Sequence, residues 1–401
     1  MAGRTDGGKD GRDMAEPAQS LFPSDAAAEP ARHSTGILPS QTLTELIREG
    51  AILADSEIEP GQIQPASLDL RLGDVAYRVR ASFLPGDGHT VRQKIESVVM
   101  HELDLTTGAV LEKGGVYIVP LQEAVRLKKS QSGAANPKSS TGRLDVFTRL
   151  ITDYSAKFDR VAEAYRGPLF LEVSPRTFSI VVRTGSRLMQ LRLRRGHPPA
   201  TAAGTRRLHE RVGLIRGETD EPGDITSSEV PIGIDLRGDP QTGVVGYKAK
   251  AHTGLVDVDA SGDYNPADYW DPIPANAGNT LILDPNAFYI LASKEAVTVP
   301  PDYAAEMTPF NARHGEFRVH YAGFFDPGFG ASEAGGAGSR AVLEVRSYEV
   351  PFLLEHGQTV GQLVYERLTD VPDKIYGNAG LGSSYQKQGL KLSRHFRAWP
   401  Q

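Results

Sequence analysis

The sequence predicts a mainly β protein built as two similar domains in tandem, and three observations carry that prediction. At 401 residues the chain is too long for one ordinary core and suits two domains of comparable size. Apolar residues fall in short alternating runs broken by Gly and Pro, with little sustained helical periodicity. A set of short motifs also recurs at a constant separation further along the chain.

Taken in order, residues 1–35 are rich in Gly, Asp, Ala and Pro and hold too few apolar residues to offset the entropy of ordering them, so they read as a disordered leader. Order begins at ILPSQTLTELIREGAI, where Thr42 and Glu45 fit a capping box, Leu43, Leu46 and Ile47 share one helical face, and Gly50 suits the stop. One short amphipathic helix is expected there. Beyond it, SLDLRLGDVAYRVR, VYIVPL, RTFSIVV and LMQLRLRR read as strands.

Tyr117-Ile118 with Glu123-Ala124-Val125 returns as Tyr289-Ile290 with Glu295-Ala296-Val297, each residue 172 positions on. Leu171-Glu172-Val173 returns as Leu343-Glu344-Val345, and Gly185 with Gln190-Leu191 as Gly357 with Gln362-Leu363, at the same separation. Asp69-Leu70-Arg71 has its counterpart in Asp235-Leu236-Arg237, 166 positions on, so a few residues were gained or lost between the anchors. The expected organisation is a leader over 1–35, a first repeat over 36–195, a linker rich in Pro, Gly and charge over 196–231, and a second repeat over 232–401.

Composition narrows the chemistry. There is no cysteine, which removes disulfides, thiolate metal sites and thiol nucleophiles. Lys and Arg total 44 against 50 Asp and Glu, a formal charge of −6 that argues against a protein coating nucleic acid. No apolar run approaches the roughly 20 residues of a membrane helix, and the N-terminus has no apolar signal core, so a cytoplasmic protein is expected.

Three segments could carry a reaction. In NPKSSTGRLD, Lys138, Ser139, Ser140 and Arg143 place two hydroxyls between two cations, with Gly142 allowing close backbone approach; this suits an oxyanion or phosphate, although such clusters are also ordinary turns. Glu172 and Glu344 each interrupt an apolar strand, where burial would disfavour the charged carboxylate and make a proton shuttle, unless alternation turns them to solvent. The C-terminal IYGNAGLGSSYQKQGLKLSRHF combines glycines with Tyr376, Tyr385, Lys387, Gln388 and Lys391, a composition that suits closure over an anionic nucleotide or a solvated, frayed end.

With these residues in place, the chain resembles the dCTP deaminase family, a branch of the trimeric dUTPase superfamily. QPASLDLRLG at 64–73, Ser139-Ser140-Thr141-Gly142-Arg143, Phe325-Asp326-Pro327-Gly328-Phe329 followed by Leu343-Glu344, and SYQKQG ahead of Leu392-Ser393-Arg394 are similar to its motifs in order and spacing. The resemblance implies two tandem distorted β-barrels of the β-clip type with a few short helices. It also implies a homo-oligomer whose site takes Ser-Ser-Arg from one unit and Glu from its neighbour.

The two repeats depart from that pattern in complementary ways. Thr308-Pro309-Phe310-Asn311-Ala312-Arg313 stands where the second Ser-Ser-x-x-Arg should lie, while Tyr154, next to Asp153, stands opposite Asp326. The pairing expected is therefore Ser139, Ser140 and Arg143 with Asp326 and Glu344 under the tail, leaving Arg313 with Glu172 as a degenerate pocket.

What the resemblance implies is hydrolysis of dCTP to dUTP and ammonia. Glu344 would move protons from water to N3 and then to the leaving amine, Arg143 and Ser139 would orient the water, and Asp326 would bind the sugar 3′-hydroxyl. The zinc deaminase signature needs cysteines that this chain lacks, so no zinc is expected. Magnesium is expected only on the substrate triphosphate, with no dedicated metal ligands. A dUTPase, a bifunctional enzyme forming dUMP, and a non-catalytic nucleotide-binding protein stay open as alternatives.

Overall fold

A computed structural model describes residue 3 and residues 32–217, 225, 227–309, 317–320, 323–331, 338–377 and 389–399. The chain divides into Met1–Ala31 and Arg32–Gln401, and all that follows concerns the second unit. The leader expected over 1–35 lies outside the described residues except for Gly3 and Arg32–Thr35.

The unit is mainly β, with a few short helices. In its first half a six-stranded sheet runs Val99–Asp104, Val75–Val79, Val116–Arg126, Arg166–Pro175, Val146–Thr152, with Ile52–Ala54 added to Val116–Arg126. In the second half a six-stranded sheet runs Trp270–Pro274, Val244–Ala249, Phe288–Val297, Ser339–Ser347, Phe317–His320, with Ile215–Arg216 added to Phe288–Val297. The strand order is the same, and so is the register: Glu172 lies opposite Ile118, and Glu344 opposite Ile290. No path among the described strands closes on itself.

Both glutamates sit on interior strands of these sheets. Residues 169–175 and 341–347 are buried at every position, because layers cover both faces. Alternation therefore does not turn either Glu to water: Glu172 is 1% and Glu344 7% exposed.

The halves share structure beyond their separate sheets. Val256–Asp257 of the second half adds in parallel to Ile180–Val182 of the first. Beside that junction Phe178 of the first half meets Trp270 edge-on at 5.4 Å, and Trp270 meets Phe396 of the tail at 5.8 Å. Fully buried aromatic rings of this size contribute on the order of 2–3 kcal/mol each, so this cluster fixes one half on the other.

Two local expectations are corrected. The first helix spans Ser40–Arg48 and starts after Pro39, with no side-chain cap, so Thr42 lies inside it. Pro39 and the burial of Leu43 and Leu46 set the start three residues earlier than the capping pattern implied. The capping box expected at Thr42 occurs instead at Thr90, which accepts from Gln93 N ahead of helix Val91–Val98. The stretch expected to be linker contains helix Ala202–Val212: the Thr201 side chain accepts from Gly204 N, Leu208 is buried, and Gly213 closes the helix at a φ of 65° that favours glycine.

Candidate active site

The Ser-Ser segment of the first half forms a single helical turn, Ser139–Gly142, in which Arg143 N donates to Ser139 O at 3.1 Å. Ser139 is exposed and Ser140 buried. The turn delivers Arg143, 3% exposed, to the Leu-Glu-Val strand of the second half, with Arg143 Nε 3.9 Å from Glu344 Oε1. That separation suits an ion pair and is too long for a hydrogen bond. Burial pushes the Glu344 carboxyl up to about 8; Arg143 pulls against this, and Asp145 adds to it.

Two residues beyond Arg143 and Glu344 a second contact joins the halves. Arg346 Nη2 donates to Asp145 Oδ2, Thr177 Oγ1 donates to the same oxygen at 2.6 Å, and Arg346 Nη2 reaches Thr177 Oγ1 at 2.9 Å. The tail covers the other side. Arg143 Nη1 donates to Lys391 O at 3.1 Å, and Ser393 Oγ donates to Ser140 O at 2.9 Å while lying 2.9 Å from His395 Nδ1. Burial and the nearby Arg143 lower the Lys391 ammonium.

A second cluster gathers around Asp326. Lys138 Nζ donates to Asp69 Oδ2, and the other Asp69 oxygen is buried with no hydrogen-bond partner among the described residues. Arg192 donates to Ala305 O at 3.1 Å, and to Phe325 O and Asp326 Oδ1 at 3.4 Å each, with its guanidinium 3.9 Å from the Phe324 ring centroid. Burial raises the Asp326 carboxyl, Arg192 and Lys138 oppose this, and Asp69 reinforces it. Gly328 makes the turn after Asp326 at a φ of 93°, where a Cβ would lie 2.0 Å from Ile375 Cγ2. Tyr376 N donates to Pro327 O at 2.9 Å and its ring packs on Phe329 at 5.8 Å, which ties the start of the tail to that turn.

Of the residues expected at a site, Arg143, Glu344 and Lys391 O meet, and Lys138 and Asp326 share a second cluster. Glu172 is elsewhere. Its Oε1 accepts Arg149 Nε at 3.0 Å and Nη2 at 2.6 Å, and the Arg149 guanidinium lies 3.6 Å from the Phe158 ring centroid. A cavity of about 330 Å³ adjoins it, lined by Asn136, Phe147, Arg149, Phe158, Asp159 and Glu306 among others. Arg313, Tyr385, Lys387 and Gln388 lie outside the described residues. In the first half the place of the Asp-Pro-Gly turn has become structural: Asp153 Oδ1 accepts Val91 N at 2.7 Å at the start of helix Val91–Val98, and Tyr154 is 56% exposed.

Sequence reasoning singled out neither Asp145, Arg346 nor Arg192. Asp145 and Arg346 stand two residues after motif residues, so period-two spacing was the available signal. Arg192 had a clearer one: 172 positions on, the counterpart is Val364, an apolar residue. Among the described residues no three His, Asp or Glu side chains are grouped so that they could hold a metal ion.

Comparison with known proteins bears on this arrangement. The family descriptions "2′-deoxycytidine 5′-triphosphate deaminase (DCD) N-terminal domain" and "C-terminal domain" match residues 34–197 and 201–396. The crystal structure of 2′-deoxycytidine 5′-triphosphate deaminase from Agrobacterium tumefaciens superposes with a TM-score of 0.79 at 54% identity, over 84% of this chain and 100% of that one. "dCTP deaminase, dUMP-forming" of Methanobrevibacter smithii is 31% identical over 134 residues, 33% of this chain and 65% of the relative. The protein of the same description from Mycolicibacterium smegmatis is 32% identical over 114 residues, 28% of this chain and 56% of the relative. The chain thus spans just over half to just under two thirds of the length of these two curated relatives.

Proposed function

The chain belongs to the 2′-deoxycytidine 5′-triphosphate deaminase family, and we propose that it hydrolyses dCTP to dUTP and ammonia at the composite site where Arg143 of the first half meets Glu344 of the second. The observation that carries this reading is a buried carboxyl whose proton affinity is pushed up to about 8, beside a guanidinium from the other half. A group with a pKa near the working pH can both take a proton and return it, which a hydrolytic deamination requires twice.

In the proposed reaction Glu344 takes a proton from water as its oxygen bonds to C4 of the cytosine ring, and gives that proton to N3. The second proton of the former water then passes by the same carboxylate to the amino group, the C4–N bond breaks, and ammonia leaves with the carbonyl formed. Arg143 stabilises the charge that grows at the tetrahedral centre, and Ser139 orients the water. Asp326 accepts from the sugar 3′-hydroxyl, while Lys138 and Ser140 face the phosphates. Magnesium enters with the substrate, coordinated by its phosphates. No helix of the described residues is long and apolar enough to cross a membrane, and we place the enzyme in the cytoplasm as a homo-oligomer.

The descriptions of the two curated relatives favour a second reading, in which dUTP is carried on to dUMP and pyrophosphate. One assay separates the readings. Purified chain with dCTP and magnesium is followed for ammonia, and the nucleotides are resolved by chromatography. Ammonia with dUTP supports the first reading, ammonia with dUMP and pyrophosphate the second. Bound dCTP with no ammonia sinks both and leaves a nucleotide-binding protein.

A further inference from the structure

Resting on that reading, we propose that Asp145 and Arg346 form a positioning pair that sets where the Arg143 guanidinium meets the Glu344 carboxylate across the boundary between the halves. The two contacts have the same construction. Arg143 and Asp145 are two residues apart in the first half, and Glu344 and Arg346 two apart on strand Ser339–Ser347, where period two puts both side chains on one face. Cation meets anion at 344 and anion meets cation at 346, so a slip of the strand by one residue breaks both contacts and a slip by two opposes like charges.

The pair is built to stay in place. Asp145 is 1% and Arg346 5% exposed. Asp145 adopts a φ of 55°, a left-handed conformation that only a few side chains tolerate and that persists where the surroundings hold it. Here the holding groups are Arg346, Thr177 Oγ1 and Arg176 N, the last donating to Asp145 O at 2.9 Å. Arg346 is fixed from its far side as well, since Nη1 donates to Asn286 O. Breaking the pair therefore frees the segment that carries Arg143 and leaves one buried charge beside Glu344.

The charged and titratable groups around Glu344 whose side chains are described are Arg143 and Asp145 from the first half, Arg346 on its own strand and Lys391 from the tail. Among these, removing the Asp145 charge leaves Arg346 to stabilise ionised Glu344, and removing the Arg346 charge leaves Asp145 to oppose it.

The test is the titration of Glu344 in the full-length chain, read as the protonated-carboxyl infrared band that Glu344→Gln removes, together with the pH dependence of ammonia release. Asp145→Asn is expected to move the titration down by about one unit and Arg346→Gln to move it up by a similar amount. The acid limb of kcat/KM follows, a tenfold change per unit. The double variant returns both close to wild type. Arg346→Lys, which keeps the charge and is the variant to use if the others do not fold, is expected to leave the titration in place while kcat falls about ten- to a hundredfold at unchanged KM. Unmoved or same-direction titrations, or full turnover in Arg346→Lys, overturn the proposal. The infrared arm reads it even in a chain that releases no ammonia, an outcome that counts against the deaminase reading alone.

Discussion

Glu172 and Glu344 occupy the same place in two sheets of the same strand order, within the same Leu-Glu-Val, each opposite an isoleucine on the neighbouring strand. Their surroundings differ on the other side. Glu172 lies opposite Arg149 of its own half and is held by two nitrogens of that guanidinium, which is itself packed against Phe158. Glu344 lies opposite His320, and its cation arrives from the other half, 3.9 Å away and shared with a tail carbonyl. A strand position thus decides that a carboxyl is buried; the neighbour decides what burial does to it. Two nitrogens of one guanidinium on a single Glu172 oxygen make a close ion pair within one half, whereas a single, more distant cation leaves the Glu344 carboxyl with a proton it can exchange near neutrality.

The sharpest way to break this comparison is to neutralise each Glu in turn. Glu344→Gln is expected to lower ammonia release by about a hundredfold to ten-thousandfold, with Glu172→Gln keeping wild-type turnover. The reverse result transfers the proton shuttle to the first half. Next in size is an effect on stability. Arg149→Met leaves the buried Glu172 carboxyl without its cation and should cost about 3–5 kcal/mol in a urea titration, most of it recovered when Glu172→Gln is added. A cost under about 1 kcal/mol means that the pair is not what anchors Glu172.

The smallest effect lies in the pH dependence of stability. The folded chain holds the Glu344 proton up to about pH 8, whereas the unfolded chain releases it near the ordinary carboxyl value of 4.5. This contribution is fully present below the unfolded value and is lost as pH rises through the folded one, by an amount on the order of a few kcal/mol. Thermal melts between pH 5 and pH 8.5 should therefore fall more steeply for wild type than for Glu344→Gln, and equal slopes would remove the basis for assigning Glu344 a raised pKa.

Much of this was legible in the sequence. Short alternating runs identified a β fold, and the 172-residue separation of Leu-Glu-Val located two equivalent positions. The motifs also singled out Arg143 and Glu344, which the fold brings within 3.9 Å of each other. What could not be read was which charges cancel. Arg149 and Glu172 are 23 residues apart and pair through adjacent strands, and Asp145 and Arg346 are 201 apart. Such partners are set by sheet register and by the docking of one half on the other, which local pattern does not encode. The helix Ala202–Val212 was hidden for a different reason: its Pro- and Gly-rich approach looks like a connector, and only the burial of Thr205, Leu208 and His209 makes the helix worth forming.

The carbonyl of Lys391 on Arg143 Nη1 has a consequence for ligand affinity. It occupies a donor that an incoming oxygen would also seek, and so acts as a built-in competitor. Any ligand atom that takes that same N–H must first displace the carbonyl, which offsets about 1.5–3 kcal/mol of the gross attraction. The dissociation constant of such a ligand therefore reports the strength of the guanidinium and the grip of the tail together.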